Sequence, residues 1–210
     1  NVTNFHELKR THFGDRKITL GSNCDLEVVL YVFADALMRR PADKVGLDDI
    51  EAGVREVFEK VKGAYSVCAT IADVGMVAFR DPFGIKPAVF GQRTDEHGEW
   101  FACASESVVL DVNGYERTID IGPGEAIFVD SSRKVHRRQV GDQPHRPCIF
   151  EYVYFARPDS FIDDISVYKT RHRFGIALAV LAFGFIALRP ADPHPHHPCP
   201  ASPSLLAVTG

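Results

Sequence analysis

Apolar residues in the first third of the chain recur at intervals of three and four, and this spacing predicts amphipathic helices. The clearest helix is predicted over residues 48–62, where one face carries Ile50, Val54, Val57, Phe58 and Val61. Another helix is predicted from a Ser22-x-x-Asp25 start to Pro41, which cannot continue it. A short first helix is predicted over residues 3–10. Helices with one apolar face must pack that face against another layer of structure.

After Gly63 the pattern changes to short alternating or continuous apolar runs, which predict β-strands. The predicted strands are residues 64–71, 76–79, 87–90, 100–105, 126–129 and 134–140. A tight turn through Asp73 and Gly75 joins the first two of them. Helices followed by a series of mostly antiparallel strands predict an α+β domain in which the helices cover a sheet face.

The composition changes towards the carboxyl end of the chain. An uncharged run of 15 residues, 174–188, is shorter than the roughly 18–20 residues that a membrane-spanning helix needs. Six prolines follow between Pro190 and Pro203, and such a segment cannot build a packed core. We therefore predict one domain over residues 1–171. We expect residues 172–210, an apolar segment and a Pro/His-rich tail, to be disordered or non-native.

Composition narrows the class of protein. The chain has 210 residues, of which 45% are hydrophobic and 25% charged, as is ordinary for a globular protein with a buried core. A formal net charge of -4 without a dense Lys/Arg cluster argues against a nucleic-acid partner. The five cysteines are scattered and form no CxxC pair, so we expect no disulfide framework and a reducing, cytoplasmic compartment. Three of them are predicted to be small core residues: Cys24, Cys68 and Cys103.

Two segments carry the most specific patterns: Phe-Arg-Asp-Pro-Phe-Gly-Ile-Lys-Pro at residues 79–87 and Phe-Glu-Tyr-Val-Tyr-Phe-Ala-Arg-Pro-Asp-Ser at residues 150–160. With residues 104–108 and 123–126 between them, they resemble the glutamine phosphoribosylpyrophosphate amidotransferase family in order and separation. The resemblance covers residues 1–171 and implies a class II glutamine amidotransferase domain. The implied fold is that of the Ntn hydrolases, a four-layer αββα sandwich with mostly antiparallel sheets, incomplete at its amino terminus.

The resemblance also implies an activity. Enzymes of that family transfer the amide nitrogen of glutamine to phosphoribosylpyrophosphate and form 5-phosphoribosylamine, the first step of purine biosynthesis. An amino-terminal cysteine attacks the amide, its own amino group acts as the base, and an Asn-Gly pair stabilises the oxyanion. The resemblance places these groups before Asn1, and a phosphoribosyltransferase domain with its magnesium after Arg171. We therefore expect this chain alone to be inactive, and the intact protein to be a homo-oligomer without a membrane or nucleic-acid partner.

One substrate-binding residue is implied within the chain. The resemblance aligns residues 23–27 with an acidic segment that holds the α-amino group of glutamine, so Asp25 is the predicted binding residue. A carboxylate at the start of a helix stays ionised and can pair with an ammonium group. Cys24 and Leu26 depart from the small hydroxyl residues of the family. The alternative interpretation is that Asp25 only caps the helix.

Cys148 has two interpretations. Some family members bind an iron–sulfur cluster with a cysteine three residues before the Glu of the second motif, and Cys148 stands three residues before Glu151. A cluster needs about four thiolates, and the resemblance places the other ligands in the domain beyond Arg171. A buried thiol is therefore the interpretation that we favour for Cys148 in this chain.

Several charged residues stand in apolar surroundings, which predicts that they pair within the fold: Arg80, Asp81, Lys86, Glu106, Arg157 and Asp159. Two other functions stay open beside the amidotransferase. One is a non-catalytic regulatory or interaction module that retains the fold. The other is a glutaminase domain that serves a different acceptor.

Overall fold

The computed structural model describes residues 1–11, 13–14, 20–41 and 44–187. The chain divides into two compact units, Asn1–His172 and Arg173–Gly210. In the second unit the described residues are helical, and their side chains are exposed as far as Gly184. Residues 188–210 lie outside the described residues, so the disorder of the tail and the domain boundary at residue 171 stay predictions. No helix within the described ranges is both long and apolar enough to cross a membrane.

Three helices precede the sheets: α1 (Phe5–Thr11), α2 (Asp25–Leu37) and α3 (Leu47–Lys60). They confirm the three predicted helices with slightly shifted bounds. The apolar face of α3 is buried as predicted, since Ile50, Val54 and Val57 are at most 2% exposed. At its start the Asp49 carboxylate accepts the backbone N–H of Gly46 at 3.1 Å, which stabilises the first turn.

Seven strands follow: β1 (Ser66–Ile71), β2 (Gly75–Arg80), β3 (Val89–Asp95), β4 (Gly98–Ala104), β5 (Glu116–Asp120), β6 (Glu125–Asp130) and β7 (Val135–Gln139). All except β5 overlap predicted strands, but β3 shares only residues 89–90 with the strand predicted over residues 87–90 and extends to Asp95. The short helix α4 (Ser107–Val112) was also not predicted. The described chain ends with a π-helical turn (Glu151–Phe155), β8 (Phe161–Ile162), β9 (Ile165–Ser166) and helix α5 (Val167–Ala187).

The strands β1 to β7 form two antiparallel sheets, with the orders β1-β2-β6-β7 and β4-β3-β5. Apolar side chains from both sheets form one core between them, which includes Ala78, Ile127, Val129, Phe90 and Phe101. On the other face of the first sheet, Val77 and Phe79 pack against the helices α1 to α3. Leu110 of α4 lies over Gly91 on the second sheet. The layers therefore follow in the order helices, sheet, sheet, helix, which confirms the predicted α+β sandwich.

The turn after β2 is fixed by the carboxylate of Asp81, which is fully buried. This carboxylate accepts three backbone N–H groups of the residues that follow it, the last being that of Lys86 at 3.0 Å. Gly84 has a φ of 62°, and a Cβ atom there would lie 2.8 Å from Cγ of Pro123. Only glycine fits this position without strain. The turn thereby fixes the backbone position of Lys86.

Arg80 is the largest of the fully buried side chains and is 1% exposed. Its guanidinium group donates to the carbonyl oxygens of Gly84, Lys86 and Ile121. It also donates to both carboxylate oxygens of Asp163, at 2.6 and 3.1 Å. Asp163 lies between β8 and β9, so this buried pair joins the β8–β9 hairpin to the end of β2.

Candidate functional site

A cleft with a volume of about 480 Å³ lies where the chain start, the start of α2 and the turn after β2 meet the π-helical turn. This volume is typical of a small-molecule site. Its charged side chains are Asp25, Lys86, Glu106 and Glu151, and three hydroxyl-bearing residues also line it: Tyr65, Ser66 and Ser105. The cleft thus offers both signs of charge and several hydroxyl groups to a polar ligand.

The structure places the predicted binding residue, Asp25, in this cleft as the first residue of α2. Its Oδ2 accepts the backbone N–H of Val2 at 2.8 Å and lies 3.4 Å from the backbone nitrogen of Asn1. The hydrogen bond from Val2 holds the pKa of Asp25 below its ordinary value, although partial burial opposes it. Asp25 is therefore ionised at neutral pH and can pair with an ammonium group in the cleft.

The residues just before α2 are held to the helix by the side chain of Glu27 and not by that of Asp25. The Glu27 carboxylate accepts the N–H of Gly21 at 2.7 Å, and the N–H and hydroxyl of Ser22 at 2.8 and 2.6 Å. The hydroxyl of Ser22, followed by the N–H of Gly21, lowers the pKa of Glu27. Cys24 precedes the helix and forms no side-chain cap. The side chain of Asp25 is thus directed to the first residues of the chain while another carboxylate organises the helix start.

Lys86 and Glu151 form the opposite side of the cleft. Lys86 Nζ donates to Glu151 Oε1 at 2.7 Å, and Glu151 is 6% exposed. The same ammonium lies 4.8 Å from the centroid of the Phe155 ring, a cation–π contact. Because Glu151 and Phe155 belong to the π-helical turn, this pair brings the second sequence motif to the first motif. It confirms that Lys86 pairs within the fold.

Glu106 forms the wall of the cleft at the junction of β4 and α4. Its Oε2 accepts the backbone N–H of Arg157 and the hydroxyl of Ser160, both at 2.8 Å. Arg157 and Asp159 pair with each other at 3.0 Å on the surface. Glu106 therefore forms hydrogen bonds within the fold as predicted. Arg157 and Asp159 do pair, but their side chains are 66% and 51% exposed, which contradicts the apolar surroundings predicted for them.

Tyr65, Ser66, Ser105 and Phe155 line the cleft but were not singled out from the sequence. Burial, and then the charge of Asp81, raise the pKa of Tyr65 above its ordinary value, so its phenol stays neutral. Phe155 belongs to the second sequence motif, residues 150–160, and the specificity of that motif could have marked Phe155 as a site residue. Ser66 is the first residue of β1, and no spacing rule marks it. Ser105 follows β4 and belongs to the segment 104–108, whose resemblance to the family was the available signal.

The cysteines differ in part from their predicted positions. Cys68 and Cys103 lie on strands as predicted, but Cys24 and Cys68 are exposed, which contradicts their prediction as core residues. Cys24 precedes a helix whose first turn faces solvent, and Cys68 lies on an edge strand. Cys148 is partly buried. Among the described residues, no group of three or more His, Cys, Asp or Glu side chains could hold a metal ion.

Comparison with known proteins gives consistent matches to this region. The family described as "Glutamine amidotransferase domain" matches residues 1–111. The amidophosphoribosyltransferase of Escherichia coli (strain K12) is 43% identical over 180 residues, which are 85% of this chain and 36% of that protein. The amidophosphoribosyltransferase of Pseudomonas aeruginosa is 44% identical over 180 residues, with the same coverage. The chain thus spans about a third of the length of these relatives.

Solved structures agree with the sequence matches. The glutamine phosphoribosylpyrophosphate amidotransferase of B. subtilis, complexed with ADP and GMP, superimposes with a TM-score of 0.64 and 26% sequence identity. The match covers 80% of this chain and 33% of that chain. The structure of an allosteric regulatory enzyme of purine biosynthesis superimposes with a TM-score of 0.63 and 26% sequence identity. This match covers 80% of this chain and 33% of that chain.

Proposed function

The chain belongs to the glutamine amidotransferase domain family, and on that premise we propose that it is the glutamine-binding part of an amidophosphoribosyltransferase. The resemblance recognised from the two motifs is confirmed, as is the Ntn-hydrolase type of α+β fold. The protein would use the amide nitrogen of glutamine to convert phosphoribosylpyrophosphate to 5-phosphoribosylamine. The single observation that carries the assignment of the binding site is the position of Asp25.

Asp25 meets the requirements of an ammonium-binding residue. It is ionised, because the hydrogen bond from Val2 lowers its pKa, and it lies in the cleft. Its side chain is 40% exposed, so a ligand in the cleft can reach the carboxylate. The α-amino group of glutamine would pair with this carboxylate.

The D25N variant tests this assignment. Replacing the carboxylate by a neutral amide removes one charge-assisted hydrogen bond, worth roughly 1.5–3 kcal/mol, so glutamine should bind about ten- to hundredfold more weakly. Isothermal titration of the 210-residue chain with glutamine measures the change. E27Q is the matched control, because Glu27 lies on the same helix but organises its start instead of lining the cleft. Equal binding by D25N and wild type would exclude the proposed role.

The remaining functions belong to the proposal for the whole protein. We propose phosphoribosylpyrophosphate and magnesium as ligands of the part of the relatives that this chain does not span, a homo-oligomeric assembly, and a cytoplasmic location. An iron–sulfur cluster would need thiolates beyond Cys148, and the described residues do not supply such a group. No step of the proposed reaction is therefore assigned to Cys148.

The titration also tests one of the two alternative functions. A regulatory or interaction module that only retains the fold would not bind glutamine in a manner that depends on Asp25. A glutaminase domain that serves another acceptor would bind glutamine in the same way, so it differs in the acceptor alone. The 43% identity over 180 residues to an amidophosphoribosyltransferase favours phosphoribosylpyrophosphate as that acceptor.

A further inference from the structure

Two cysteines on different sheets face the same layer of the molecule. Cys68 of β1 lies opposite Ala78 of β2, and Ala78 belongs to the core between the sheets. Cys103 of β4 lies opposite Phe90 of β3, which belongs to the same core, and Cys103 itself packs against it. Directly opposed residues of an antiparallel pair point to the same face of a sheet. Both thiols therefore point into the space between the two sheets.

The two thiols meet at the rim of that space. Both β1 and β4 are the outermost strands of their sheets, and Cys68 is exposed while Cys103 is partly buried. The thiols are close enough to share a hydrogen bond, in which the S–H of Cys103 donates to the sulfur of Cys68. This bond lowers the pKa of Cys68 from its ordinary 9.0 to about 7. The same bond, together with burial, raises the pKa of Cys103.

The pair adjoins the cleft through the two strands. Ser66, the first residue of β1, lines the cleft two residues before Cys68. Ser105, which directly follows β4, lines the cleft two residues after Cys103. A covalent bond between the two strands would therefore restrain both serines.

We propose that Cys68 and Cys103 form an oxidisable thiol pair, which small-molecule disulfides such as oxidised glutathione convert to an intramolecular disulfide beside the cleft. The Cys68 thiolate attacks one sulfur of glutathione disulfide, which forms a mixed disulfide and releases one glutathione thiolate. The sulfur of Cys103, after losing its proton, then attacks the Cys68 sulfur and releases the second glutathione. Two protein thiols are oxidised and one glutathione disulfide is reduced to two thiols.

This arrangement has the features of a redox-sensitive site. The attacking sulfur is exposed and is about half thiolate at pH 7, and a second thiol is in place to resolve the mixed disulfide. Cys24 is also exposed, and the hydrogen bond described for it is that of its backbone N–H to the hydroxyl of Ser22. The proposal concerns oxidation of the chain itself and does not depend on the binding of glutamine.

Peptide mapping of the native chain tests the proposal. The chain is incubated with oxidised glutathione near pH 7.5, free thiols are blocked with N-ethylmaleimide, and the digest is analysed by mass spectrometry without reduction. We expect a peptide that joins Cys68 to Cys103, which disappears after reduction, and which persists in the matched controls C24S and C148S. A stable mixed disulfide at Cys68 without that crosslink, or preferential oxidation of Cys24, would overturn the proposal. The crosslinked peptide is measured in the wild-type chain, so the test does not depend on the folding of a variant.

The rate at which Cys68 is alkylated provides a second test of the proposal. At pH 7 a thiol with a pKa of about 7 is half ionised, and one with a pKa of 9.0 is about 1% ionised. The weaker nucleophilicity of the more acidic thiolate offsets part of this gain, so C103A should slow the alkylation of Cys68 by iodoacetamide about sixfold. An unchanged rate in C103A would show that Cys103 does not activate Cys68.

Discussion

The R80A variant is expected to lose about 3–5 kcal/mol of unfolding free energy, the range measured when one partner of a buried ion pair is removed. Arg80 is 1% exposed, and its removal leaves three carbonyl oxygens without their donor and the Asp163 carboxylate with His145 Nε2 at 3.4 Å. R80K keeps the charge but cannot span these acceptors with one ammonium group, so it should also be destabilised, though less than R80A.

Urea denaturation followed by circular dichroism measures this loss. R55A is the matched control, because Arg55 also pairs with a carboxylate, that of Glu51 at 2.7 Å, but its side chain is 52% exposed. An exposed pair on a helix contributes only a few tenths of a kcal/mol. If R80A and R55A lose similar amounts, the buried pair does not hold the β8–β9 hairpin to the sheet in the way that we describe. If R80A does not fold at all, R80K and D163N are compared with R55A instead.

The 210-residue chain is expected to bind glutamine without hydrolysing it. The resemblance implies a cysteine as the nucleophile, and the described cleft contains no cysteine among its lining residues. Without an activated nucleophile and a preorganised oxyanion site, hydrolysis of the glutamine amide loses the main sources of its rate enhancement. The rate should therefore fall by many orders of magnitude relative to an intact enzyme.

An ammonia assay coupled to glutamate dehydrogenase measures this directly. The exposed thiol of Cys24 lies next to Asp25, so C24A is the matched control for an alternative nucleophile. Ammonia release above the buffer rate that D25N abolishes would contradict the expectation. Release that C24A abolishes as well would identify Cys24 as the attacking group.

The fold could be predicted where each segment carries its own signal. The face of α3 and the core strands β2 and β6 have clear periodicity, and all three are observed. Helix α4 was missed because Ser107–Val112 places apolar residues side by side and lacks a capping residue. Strand β5, Glu116–Asp120, is mostly polar, and its pairing to β3 is irregular. Tertiary packing decides both elements more than their local sequence does.

The site could be predicted only in part. Asp25 was identified because the family resemblance gave a role to its segment, and the structure places it in the cleft. The other lining residues come from segments that are far apart in sequence, so no spacing could join them. Lys86 and Glu106 were recognised as charges that must pair, yet their partners, Glu151 and the Arg157–Ser160 segment, emerge only from the fold.

Glu106 connects the cleft through hydrogen bonds to residues 157–160. The carboxylate that lines the cleft is also the acceptor that anchors Arg157 and Ser160. A ligand that draws this carboxylate towards itself must weaken both of those bonds, and an event that moves residues 157–160 must in turn alter the cleft. Occupancy of the cleft and the position of that segment are thermodynamically linked, with the same free energy of coupling in both directions.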